Sequence, residues 1–140
     1  GVVAGDRQRE NNRAHGHRGG VAYEADAPLE RIVHCHCQTC RKTHGTAFSS
    51  VTAVPRETFR WVRGQELLGS FESSPGKFRR FCTRCGSHVM AERTNQPNVL
   101  LRLGCLDTKV ADRPQVHIWR SDAASWYDPK QQFPEKPEGL

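Results

Sequence analysis

Cys35, Cys37 and Cys40 stand in the chain as C-x-C-x-x-C, Cys82 and Cys85 as C-x-x-C, and Cys105 stands apart. Six cysteines in a short chain fit either disulfides or thiolate chemistry. Residues 1–20 are polar and Arg-rich with no apolar secretory core, so metal ligation or redox chemistry is the stronger reading. On a strand ending at Cys37, the two-residue period puts Cys35 and Cys37 on one face. A turn through Gln38 and Thr39 then returns Cys40 to the same point. Three converging thiolates suit Zn²⁺, and three protein ligands with an open fourth position is the arrangement of a catalytic zinc. A closed structural site, completed by Cys105 or a nearby histidine, is the alternative these residues leave open.

His34 and His36 alternate with the cysteines and are expected on the opposite face, supporting the site rather than ligating in it. His44 falls near the mouth of the site if the turn is helical, and is read as solvated. The run Phe81-Cys82-Thr83-Arg84-Cys85-Gly86 reads as a metal-binding knuckle, Gly86 letting the backbone turn after the second sulfur. The redox reading of C-x-x-C is weaker, because no βαβ pattern surrounds it.

The elements that must position these residues are short. The chain has 140 residues, one domain's worth, with 36% apolar and 26% charged residues. That core is lean, and something besides apolar burial is expected to stabilise it. Apolar alternation broken by turns predicts strands at 21–24, 32–37, 47–54, 59–62, 67–73, 78–81, 88–93, 99–103 and 117–120. One helical turn is predicted at 38–43. Residues 1–18 read as an extended N-terminal arm contributing little core, 19–134 as the domain and 135–140 as a C-terminal tail. Phe59, Trp61, Trp119 and Trp126 are expected to be core or strap residues, with Trp119 important for stability. The net charge of +6 is scattered rather than striped, which favours a solvated surface over a nucleic-acid face. No apolar run approaches the roughly 20 residues needed to cross a bilayer, so a cytoplasmic protein is expected.

The runs HCHCQTCRKTHGTAF, VPRETFRWVRG, FESSPGKFRRFCTRCGSHV, LGCLD and VHIWRSDAASWYD, in that order, resemble the glutathione-dependent formaldehyde-activating enzyme family, whose relatives include centromere protein V. The resemblance covers about 19–134. It implies a mostly β fold, a β-tent of two small antiparallel sheets stapled by zinc. It makes Cys35, Cys37 and Cys40 the ligands of a catalytic zinc open to a thiol, and Cys82 with Cys85 half of a structural zinc site. The family's other half, a C-x-C before the first Gly-x-Val strand, is missing. His15 and His17 form an H-x-H shifted by one position. One tightly held zinc is therefore expected, the second site being weak or empty, and Cys105 is read as a buried thiol.

The implied activity is that of a zinc-dependent carbon–sulfur lyase or synthase, similar to S-(hydroxymethyl)glutathione synthase. Its substrate would be an adduct of glutathione, the co-substrate, or a similar thiol with a small aldehyde such as formaldehyde. Arg41 and Lys42 are candidates for holding glutathione's carboxylates. The alternative is a non-catalytic zinc-stapled binding module associated with nucleic acid. The expected partners are a small thiol and an aldehyde, with no membrane and no nucleic acid, and a homodimer stays open.

Overall fold

Strand pairing in this chain follows from short apolar alternations separated by tight turns. The computed structural model describes residues 2–5 and 20–140. The strands are β1 (Val2–Gly5), β2 (Ala22–Ala25), β3 (Ile32–Cys35), β4 (Ser49–Pro55), β5 (Phe59–Arg63), β6 (Leu68–Ser74), β7 (Lys77–Cys82), β8 (His88–Arg93), β9 (Asn98–Arg102) and β10 (Gln115–Ile118). A helix of about two turns, α1 (Gln38–His44), follows β3. Two sheets result, β1-β2-β5 and β10-β3-β4-β9-β8-β7-β6. All pairs are antiparallel except β10 with β3, which run parallel. That edge departs from the all-antiparallel expectation because β10 returns by the long crossover after β9, the kind of connection a parallel pair needs.

The core lies where Val21, Tyr23 and Ala25 meet Val54, Met90, Val99 and Leu101 of the larger sheet. Because side chains alternate, register assigns each residue of that sheet to a face. Leu101 pairs with Met90 and Thr52, on the core face. One step along, Arg102 pairs with Val51, which pairs with Val33, two residues before Cys35. Arg79 pairs with Ala91, which pairs with Leu100. Cys35, Arg102 and Arg79 thus share the sheet's other face, and this face carries the chemistry.

Two expectations are corrected. Val2 and Ala4 are buried, so the start of the chain contributes to the core. β1 is a four-residue strand whose apolar run is too short to show a period, and pairing with β2 is what buries it. Trp119 and Trp126 are 60% and 68% exposed, so neither is a core residue. Trp119 takes a left-handed conformation at φ 57°, which ends β10 two residues before the expected end at Arg120 and turns the indole outward. Phe59 and Trp61 do pack on the core, with ring contacts to Tyr23. His15 and His17 lie outside the described residues. Among the described residues, no helix is long and apolar enough to cross a membrane.

Candidate metal centre

The site is built where β3 ends and α1 begins. Cys35 closes the strand, and Cys37 is the helix N-cap, with its Sγ accepting from the Cys40 backbone N–H at 3.4 Å. Helix winding then brings Cys40 over the same point, and Gly45 ends the helix at φ 62°. The Sγ atoms of Cys35, Cys37 and Cys40 lie within 4.8 Å of one another. Cys35 and Cys40 are buried, while Cys37 is half-buried at the rim. Among the described residues no fourth Cys, His, Asp or Glu joins the group. Cys105 donates instead to the His88 carbonyl at 2.9 Å. His36 is fully buried with its Nε2 2.7 Å from His117 Nδ1, and His34 bonds Ser50 and Gln115. Both histidines therefore support the strand ends rather than ligate.

Charge around the sulfurs is positive. Arg79 is 2% exposed, donates its Nε–H to Ser73 Oγ at 2.9 Å and directs Nη2 to Cys40 Sγ at 3.7 Å. Burial pushes the Cys40 thiol up, but the polar groups of Ser49, Arg79 and Cys37 outweigh this and bring it down to about 7. Burial, with the neighbouring Cys40 charge adding to it, pushes Cys35 up to about 12. Burial thus opposes a thiolate at Cys35 while the polar groups around Cys40 favour one, and a cation bound between them would favour both. Arg102, 6% exposed, is lowered by burial and by Arg79 to about 10.

A cavity of about 350 Å³ opens beside Cys37. Its wall is Gln38 and Thr39 from the start of α1, Ser73 and Ser74 from β6, Lys77 and Arg79 from β7, Arg93 from β8, and Trp119 with Asp122. Lys77, Arg79 and Arg93 outnumber the one carboxylate, Asp122. Arg41 and Lys42 do not line this space. Arg41 donates its Nε–H to the Asp122 carbonyl at 3.0 Å, and Lys42 is exposed. Sequence reasoning missed Lys77, Arg79 and Arg93. The available signal was the two-residue spacing of Lys77 and Arg79, which puts both on one strand face.

The turn of the knuckle forms as its residues predict. Gly86 sits at φ 81°, its N–H bonds the Cys82 carbonyl at 2.7 Å, and the Cys82 N–H bonds the Ser87 carbonyl at 2.9 Å. Cys82 is fully buried, and burial raises its thiol. Among the described residues no third ligand accompanies Cys82 and Cys85.

His44 is half-buried rather than solvated, its ring 4.8 Å from that of His88 and its Nε2 without a partner among the described residues. Burial, then the charges of Arg102, His88 and Arg79, lower it from 6.5 to about 3. His36, His88 and His117 are lowered too, chiefly by burial. The fold therefore keeps these rings neutral. As pH drops below the unfolded value near 6.5 the unfolded chain takes up protons the fold refuses, and stability falls, for His44 until about pH 3. The urea midpoint is expected to decline steadily from pH 7 to pH 4.5, and His44→Gln to flatten that decline. Parallel profiles for the two proteins would contradict it.

Fold and site define a class: small two-sheet β domains with a three-cysteine cluster suited to a metal ion, set beside a basic cavity. The family model described as "Glutathione-dependent formaldehyde-activating enzyme" matches residues 13–122. The chain belongs to that family. A Colletotrichum graminicola protein bearing the family's name is 30% identical over 96 residues, 69% of this chain. This chain spans 44% of that relative's length. The crystal structure of a Rhodobacter sphaeroides protein has the same fold, with a TM-score of 0.58 at 17% identity over 82% of this chain and all of that one.

Proposed function

We propose that this protein is a zinc-dependent carbon–sulfur lyase or synthase that makes and breaks the adduct of glutathione with formaldehyde or another small aldehyde. The observation that carries the reading is the three-sulfur cluster reaching, through Cys37, a cavity rich in cations. Three soft sulfur donors with no fourth protein ligand among the described residues fit zinc, which Cys35, Cys37 and Cys40 would hold. Zinc held by these three cysteines would supply the positive charge that lets a substrate thiol lose its proton near neutral pH. One tightly held zinc per chain is expected there.

The chain's own groups do the rest. Lys77 and Arg93, both on the cavity wall, would pair with glutathione's two carboxylates, and the Asp122 carboxylate with its ammonium group. Held at both ends, the tripeptide presents its sulfur to the cluster in one orientation, which turns a bimolecular addition into a directed one. Reduced thiols at this spacing suit a reducing compartment such as the cytoplasm. The test is exchange spectroscopy with ¹³C-formaldehyde and glutathione. Faster interconversion of free aldehyde and adduct in the presence of the protein is expected, and an unchanged exchange rate would overturn the reading.

Trp119, exposed on the cavity wall, gives a second test. Trp119→Ala is expected to leave unfolding free energy within about 0.5 kcal/mol, the usual range for an exposed site, while weakening glutathione binding several-fold. Calorimetric titration and urea denaturation of the same sample separate the two effects. A large stability loss would return the indole to a structural role.

A further inference from the structure

We infer that Arg79 is a catalytic residue whose guanidinium receives the aldehyde oxygen as it becomes an alkoxide. The inference rests on the reading above and adds to it the group that takes the developing negative charge.

A buried guanidinium normally has a carboxylate beside it, because an uncompensated buried charge is strongly destabilising. Arg79 is 2% exposed and has no ion pair with a carboxylate among the described residues. Its Nε and Nη2 are used, on Ser73 Oγ and Cys40 Sγ, and these two contacts hold the plane of the group. Its Nη1 is buried and has no partner among the described residues. Arg79 also lines the cavity that Cys37 lines, so the same side chain touches the thiolate cluster and the space where substrate would sit. Lys77, two residues along the same face, and buried Arg102 add positive charge from either side. A donor fixed in place, unpaired and surrounded by like charge is prepared for an anion that appears only during reaction.

The step balances without oxidant or reductant. The glutathione thiol gives its proton to water on becoming a thiolate. The sulfur's electron pair forms the bond to the carbonyl carbon, and the C=O π pair moves onto oxygen. Arg79 holds that oxygen by hydrogen bonding and keeps its own protons, since a guanidinium does not ionise. Water then protonates the alkoxide to give the hydroxymethyl thioether, and lysis runs the same path backwards.

The experiment uses the metal-loaded full chain. Wild type, Arg79→Gln and Arg79→Lys are compared by ¹³C-formaldehyde exchange, by calorimetric titration with glutathione, and by the thiolate absorption of cobalt-substituted protein. Arg79→Gln is expected to lower the exchange rate constant roughly 10²–10³-fold, the loss seen when one oxyanion donor is removed, with glutathione affinity and the amount of cobalt bound little changed. Arg79→Lys keeps the charge without the fork and should fall in between; it also serves if the Gln variant does not fold. An active wild type matched by both variants overturns the role of Arg79 alone. So does a loss of rate that tracks a loss of glutathione affinity or of bound cobalt, which would mark Arg79 as structural. A wild type that does not accelerate exchange overturns the underlying function together with this inference.

Discussion

Cys37→Ser is expected to abolish metal retention and exchange activity while leaving the melting temperature of the metal-free protein almost unchanged. Cys37 is the half-buried member of the cluster and the N-cap of α1. Serine is among the best N-cap residues, so its hydroxyl takes over the contact with the Cys40 N–H that the sulfur now makes. What it cannot take over is ligation, since zinc sites of this kind rest on thiolate sulfur. Cys82→Ser is the contrast. Cys82 is fully buried in the core, and exchanging its sulfur for a smaller, more polar hydroxyl there costs about 1–3 kcal/mol. Metal analysis of both variants, and thermal melts of the metal-free proteins, decide the matter. Equal melting losses would show that the two cysteine groups do not divide into a substrate site and a structural one.

Gly64→Ala is expected to be the most damaging small substitution in the fold. Gly64 sits at φ 81° between β5 and the turn Gln65–Leu67, and a Cβ there would come 2.0 Å from the Gly20 carbonyl oxygen and 2.8 Å from Val21 Cα. Left-handed strain of about 1–2 kcal/mol adds to an overpacking cost of about 1–3 kcal/mol, because backbone cannot rotate aside as a side chain would. Urea denaturation should therefore show a loss of roughly 2–5 kcal/mol. Gly104→Ala, where nothing lies within 4 Å of the added carbon, should be nearly silent. Similar midpoints for the two variants would mean that the Gly20–Val21 backbone does not press on Gly64.

Much of this protein was legible in the sequence because its signals are local. The spacing of Cys35, Cys37 and Cys40 needs only one strand end and one helical turn to converge, and both are present. The knuckle at Cys82–Cys85 likewise depends on a single turn with Gly86 at positive φ. Strands from β2 onward carry their own apolar period, so their existence, though not each boundary, followed from alternation. β1 was invisible because four residues show no period, and its burial comes from a partner twenty residues away in sequence.

The basic cavity was decided by tertiary structure alone. Arg79 lies 39 positions from Cys40, and Arg93 and Trp119 come from other strands and turns, so no local spacing relates them. In sequence, Lys77, Arg79 and Arg102 read as solvent-facing charges, since arginine and lysine are rarely buried. Sheet register turns them to the face that holds Cys35, and the rest of the fold then closes water away from two of them. The three-cysteine cluster was set by local covalent spacing, whereas the field around it was set by which strands pair. Charge burial is a property of the packed sheet, and it exists only once distant segments have met.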